Sequence, residues 1–171
     1  PLMARLNLLE ETRFEKLPVT VYPNEEIAAK KVARRISDLI IRKQKNGENA
    51  ILGLATGATP VGVYKELVRI HKEEGLSFKN VVTFNLDEYY GLGADHPESY
   101  ARFMADQIFD HIDIPKANIN IPSGKVASDQ VFAHCRDYEE KIDALGGIDL
   151  QILGIGRTGH IGFNEPGSSR D

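Results

Sequence analysis

Apolar positions in this chain follow two alternating rhythms. Short, nearly continuous apolar runs alternate with longer stretches in which apolar residues recur every three or four positions. The first pattern belongs to strands buried on both sheet faces, the second to helices with one buried side. The runs are Val19-Thr-Val-Tyr22, Asn49-Ala-Ile-Leu-Gly-Leu-Ala-Thr56, Asn80-Val-Val-Thr-Phe-Asn-Leu86, Asn118-Ile-Asn-Ile-Pro122 and Ile148-Asp-Leu-Gln-Ile-Leu153. Between them, Ile27, Val32, Ile36, Leu39 and Ile40 predict a long helix, with Asn24 as N-cap, acids in its first turn and Gly47 as its end. A second helix is predicted from Thr59 as N-cap and Pro60 at the first helical position, closing at Gly75. Tyr100, Phe103, Met104, Ile108 and Ile112 mark the apolar face of a third. The stretch from Ser128 to Leu145 carries a stripe of Val131, Phe132, Cys135, Tyr138, Ile142 and Leu145, which places Cys135 in the packing rather than among nucleophiles. Leu6 to Lys16 mixes leucines with charges and reads as a short helix.

Strands alternating with helices, without repeat or linker, predict a single α/β domain with a mostly parallel sheet covered on both faces. In such sheets ligands bind beyond the carboxyl ends of the strands. Three segments leave predicted strands at that end: Thr56–Thr59, Asp87–Tyr90 and Gly154–Ser169.

Composition narrows the setting. Hydrophobic residues make up 42% and charged residues 27% of 171, an ordinary globular balance. A net charge of −4 implies no polyanion-binding surface, so no nucleic-acid partner is expected. The basic residues of the first helix, such as Lys30 and Arg42, lie four positions after Glu26 and Asp38 and read as a solvated face. One cysteine fits a reducing compartment. No apolar run approaches a membrane span and the start lacks a secretory pattern, so a cytoplasmic protein with no membrane partner is expected.

The candidate chemistry lies in the three loops. Gly154-Ile-Gly-Arg-Thr-Gly-His160-Ile-Gly-Phe-Asn-Glu165 is glycine-rich, with Gly154 and Gly156 allowing backbone to approach a ligand, and holds an imidazole and a carboxylate five residues apart. Thr56-Gly57-Ala58-Thr59 leads from a strand into a helix N-terminus. It is either an anion cradle of free N–H groups or a tight turn with a well-made cap. The pair Asp87-Glu88 supplies either a general base or a solvated turn. His71, His96, His111 and His134 are scattered through helical patterns or precede a proline, and are read as structural. His160 and Glu165 lack the spacing of a zinc pair, and no metal is expected.

Leu52-Gly-Leu-Ala-Thr-Gly-Ala-Thr-Pro60, Thr83-Phe-Asn-Leu-Asp-Glu-Tyr89, His96-Pro-Glu-Ser-Tyr100 and Gly159-His-Ile-Gly-Phe-Asn-Glu-Pro-Gly-Ser-Ser169 closely resemble the motifs of the glucosamine-6-phosphate deaminase family, in the same order. The resemblance implies a Rossmann-like three-layer α/β fold and conversion of glucosamine 6-phosphate to fructose 6-phosphate and ammonia, without cofactor. It assigns Asp87 as the base that takes the C2 proton, His160 as the group that assists ring opening, and Glu165 as the carboxylate that orients the histidine. Thr56, Gly57, Ala58 and Thr59 match part of the phosphate site, and Ser168 matches a region tied to allosteric effectors in some members. A homo-oligomer is the assembly the resemblance implies for the full-length protein. The competing expectations are a 6-phosphogluconolactonase-like hydrolase, which needs no C2 base, and a non-catalytic sugar-phosphate sensor of the same fold.

Two departures stand out. Family members continue well beyond the Asn-Glu-Pro-Gly-Ser-Ser motif, so residues 1–171 are expected to be an incomplete domain, truncated at its C-terminal end, with weak or no activity alone. The family commonly has Glu-Asp-Gly-His where this chain has Arg157-Thr158-Gly159-His160. A threonine hydroxyl orients an imidazole but brings no charge, which leaves Glu165 with most of that duty. Thr158→Asp in the full-length protein is therefore expected to change the pH–rate profile of sugar turnover; a superimposable profile contradicts this.

Overall fold

Strand β1 (Ala50–Leu54) is buried at every position and pairs in parallel on both edges. Its continuous apolar run serves both sheet faces at once, as such runs do in parallel sheets. The structure, a computed structural model, describes residues 17–169, so the predicted helix at residues 6–16 lies outside the described residues.

Before β1 comes α1 (Glu25–Lys45), opened as predicted: the Ile27 N–H donates to Asn24 Oδ1 at 2.9 Å, with Glu25 and Glu26 in the first turn. Helix α2 (Ala58–Glu74) follows β1 and ends at Gly75, whose φ of 76° supplies the left-handed turn. Then come β2 (Val81–Asn85), α3 (Tyr100–Gln107) capped by the Ser99 hydroxyl, β3 (Ile119–Asn120), α4 (Val131–Ala144) and β4 (Leu150–Gln151). The sheet is parallel throughout, in the order β3-β2-β1-β4. The chain therefore builds outward from β1 to β3, then returns to lay β4 on the other side of β1. That reversal makes the β1/β4 crevice a topological switch point.

The larger core lies between one sheet face and α1, α2 and α3, with Ile36, Ile40, Leu52, Leu54, Tyr64, Leu67, Val81 and Met104 among its members. On the opposite face Ile51, Val82 and Phe84 pack against Tyr138 and Ile142 of α4 and against Ile148. Tyr138 also anchors α4, its hydroxyl donating to the carbonyls of Asn85 at 2.9 Å and Asn120 at 3.0 Å. Across the α1–α2 surface, Arg34 grips both carboxylate oxygens of Glu74.

The structure corrects several sequence expectations. Val19–Tyr22 forms no strand, and Val19 and Val21 are exposed. The strand expected over residues 148–153 is confined to Leu150–Gln151, because β4 pairs on one side only and Leu153 is exposed. Cys135 is exposed, as are Phe132 and Leu145, since α4 meets the sheet through Tyr138 and Ile142. Helix α2 starts at Ala58 with Gly57 as N-cap, so Thr59 sits inside the first turn.

The junction between β1 and α2 depends on Tyr64. Its fully buried hydroxyl donates to the Ala55 carbonyl at 2.5 Å and accepts from the Ala55 N–H at 3.3 Å. Tyr64→Phe leaves both backbone groups without their side-chain partner and is expected to lower unfolding free energy by about 1–3 kcal/mol, read by urea denaturation.

Candidate functional site

The three loops singled out from sequence do converge. A cavity of about 510 Å³ opens at the carboxyl ends of β1, β2 and β4, with Thr56, Gly57, Ala58 and Thr59 on one wall, Asp87 on a second and Gly154, Gly156 and His160 on a third. Glu165 and Thr158 stand behind His160 rather than on the cavity wall. Ser168 donates its backbone N–H to the Glu165 carbonyl at 3.0 Å and belongs to the loop's closing turn.

The Thr56–Thr59 wall is built by glycine. Gly57 adopts φ 114°, which turns the chain directly from strand to helix and leaves the α2 N-terminus with no side-chain cap. The threonine cap expected from sequence would have occupied one of these N–H groups. Its absence leaves the first-turn amides of α2 and the positive end of its dipole available at the cavity.

Asp87 and Glu88, equivalent in sequence, have different tasks. Glu88 accepts the N–H groups of Tyr89, Tyr100 and Ala101 at 2.8–2.9 Å, and so anchors the N-terminus of α3. Asp87 faces the cavity instead. Burial, helped by the neighbouring Glu88 charge, raises its pKa above the ordinary aspartate value. Gly162, at φ 61°, brings the histidine loop against it; a Cβ there would lie 3.4 Å from Asp87 Oδ2.

His160 is held by a triangle of polar contacts. Its Nδ1 lies 2.8 Å from Thr158 Oγ1 and 2.9 Å from Glu165 Oε1, and the Thr158 hydroxyl donates to Glu165 Oε2 at 2.8 Å. Thr158 spends its only proton on Glu165 and can then only accept from Nδ1–H. Both partners thus select the Nδ1–H tautomer and leave Nε2 as the ring's free nitrogen for proton exchange. Gly156 is required by this packing, since a Cβ there would lie 2.1 Å from the imidazole. The other four histidines each hold a backbone group through one ring nitrogen: His71 with Leu76, His96 with Glu98, His111 with Asp106 and His134 with Ser123.

An aromatic group was not anticipated from the sequence as part of the site. Tyr89 and Tyr100 line the cavity, and Phe163 packs on both, with ring centroids 4.7–6.0 Å apart. The apolar pattern predicts a core position for Tyr100, but it opens α3 and is only partly buried. Three rings from separate segments meet only through tertiary structure, and no local pattern announces it.

Fold and cavity together define a doubly wound α/β protein with a cavity at the sheet's switch point. The family model for glucosamine-6-phosphate isomerases/6-phosphogluconolactonase matches residues 23–163, and the chain belongs to that family. A glucosamine-6-phosphate deaminase of Geobacillus sp. is 55% identical over 138 residues, covering 81% of this chain and 54% of the relative. A solved structure described as a monomeric glucosamine-6-phosphate deaminase superposes with a TM-score of 0.82 at 48% identity, over 90% of this chain and 61% of the other. The 6-phosphogluconolactonase of Thermotoga maritima superposes at 0.66 with 25% identity, over 79% of this chain and 59% of that one. The chain spans little more than half the length of these relatives.

The raised pKa of Asp87 carries a stability consequence. Its folded form holds the proton more tightly than the unfolded chain, so this contribution is full below the unfolded value of 3.8 and is lost as pH rises through the higher folded value. Asp87→Asn is expected to melt no lower than the wild type at pH 7, and the difference between them should shrink below pH 3.8. A variant that melts clearly lower at pH 7 contradicts the reading of Asp87 as a carboxylate whose ionised form is disfavoured by burial.

Proposed function

We propose that the protein containing this chain is a glucosamine-6-phosphate deaminase, converting glucosamine 6-phosphate to fructose 6-phosphate and ammonia in cytoplasmic amino-sugar breakdown. The observation that carries this reading is the pairing, in one cavity, of a carboxylate with a raised pKa and an independently oriented histidine. Lactone hydrolysis requires no carboxylate base at C2, and ligand sensing requires no proton-handling groups at all.

The geometry supports the roles that the resemblance implies. The uncapped start of α2 and the Thr56–Thr59 loop receive the phosphate through N–H groups. His160, with Nδ1 occupied by Glu165 and Thr158, moves a proton at Nε2 between the anomeric hydroxyl and the ring oxygen, which opens the sugar. In the open chain the aldehyde acidifies the C2 proton, and Asp87 takes it. Partial burial suits Asp87 to that task, because a carboxylate less well solvated is a stronger base. Return of the proton to C1 gives the ketose imine, and water then releases ammonia.

The test is to incubate the full-length protein with glucosamine 6-phosphate and follow ammonia and fructose 6-phosphate together. Stoichiometric release of both is expected, and Asp87→Asn should lower kcat by at least about a hundredfold, as loss of a general base does. Hydrolysis of 6-phosphogluconolactone with no ammonia from the amino sugar would replace this reading with the lactonase one.

A further inference from the structure

Tyr100 occupies the stretch of cavity between the two ends already assigned. Its phenol lies beside the side chains of Thr56, in the anion loop, and of Tyr89, in the segment that follows Asp87, and all three line the cavity. Its backbone and its ring are both held. Glu88 accepts the Tyr100 N–H at 2.9 Å, Tyr89 packs at 4.7 Å, and Phe163 stacks at 6.0 Å with 23° between the ring planes. A tyrosine held this firmly presents its hydroxyl at little entropic cost, because its two χ angles are already set.

A phosphorylated amino sugar bound with its phosphate at Thr56–Thr59 and its C2 at Asp87 must lay its middle carbons across the wall between them. Tyr100 is on that wall. We propose that the Tyr100 hydroxyl is a specificity-determining contact of this site, hydrogen-bonding a hydroxyl on C3 or C4 of the substrate. The assignment rests on the sugar-phosphate reading above and adds to it a way of recognising the middle of the chain. A sugar lacking that hydroxyl forfeits the contact, which sets the discrimination at about fivefold, the worth of one neutral hydrogen bond. Phe163 is a positioning residue: it touches Tyr89 and Tyr100 but is not on the cavity wall, and it joins the histidine loop to the aspartate segment.

The experiment compares Tyr100→Phe, Phe163→Leu and wild type, all as the full-length protein, on glucosamine 6-phosphate and on its 3-deoxy and 4-deoxy analogues. Tyr100→Phe retains the ring and its stacking. It is expected to lower kcat/KM on the parent sugar by about fivefold, mainly through KM, as loss of one neutral hydrogen bond predicts. On one of the two deoxy analogues the same variant should cause no further loss. Phe163→Leu should lower kcat by a similar factor on all three sugars. An equal penalty for Tyr100→Phe on all three, or none on the parent, overturns the proposal. If wild type releases no ammonia, the same comparison is made calorimetrically with the same three sugars. Binding with the predicted Tyr100 pattern then removes the deaminase reading and keeps this one, and absence of binding removes both.

Discussion

The rest of the structure depends on the double burial and double pairing of β1. Both of its faces face apolar layers and both of its edges are hydrogen-bonded, so its position has almost no freedom. Parallel pairing in register, from Ala50 with Val81 to Leu54 with Asn85, makes β1 and β2 end level with one another. The loops that follow must then emerge side by side, which is how Thr56 and Asp87 come to face one cavity although thirty positions separate them. Asp149 fixes the third strand to the same frame. It accepts the Ile51 N–H at 2.9 Å and pairs with Lys43 at 2.7 Å, binding the start of β4 to β1 and to the end of α1.

That frame weakens toward β4, where only two residues pair. The histidine loop is consequently located less by the sheet than by contacts of its own: the Gly156 backbone beneath the imidazole, Gly162 against Asp87, and Phe163 on the two tyrosines. Each of these needs either a missing side chain or a large flat one. The glycine-rich character of the loop is thus a packing requirement as much as a means of approaching ligand. A β-carbon at 156 would displace the imidazole that the loop exists to present.

What was legible in the sequence was what local chemistry decides. Asn24 capping α1 and Gly75 closing α2 depend on a few neighbouring residues, and the buried runs of β1 and β2 announce themselves by composition. The carboxyl-end rule then sufficed to gather Thr56–Thr59, Asp87 and His160. Misreadings arose where a partner from elsewhere decides. Val19–Tyr22 has the composition of a strand but no strand to pair with among the described residues. Cys135 lies on an apolar stripe that α4 buries only in its middle. Local pattern left Asp87 and Glu88 alike and only the resemblance singled out Asp87, whereas in the structure the N–H groups opening α3 claim Glu88.

Thr158 shows how a departure from a family pattern can keep geometry while changing electrostatics. The hydroxyl sits at hydrogen-bonding distance from both His160 and Glu165, so the imidazole is oriented by two groups. Only Glu165 brings charge, and more than half of its side chain is exposed to solvent. Water screens a carboxylate so placed, and its Coulombic hold on a neighbouring cation is worth far less than that of a buried one. A hydroxyl that donates to Glu165 also spreads part of that charge away from the ring. Orientation, which decides where Nε2 points, therefore survives the substitution, while only one charged group is left beside the ring.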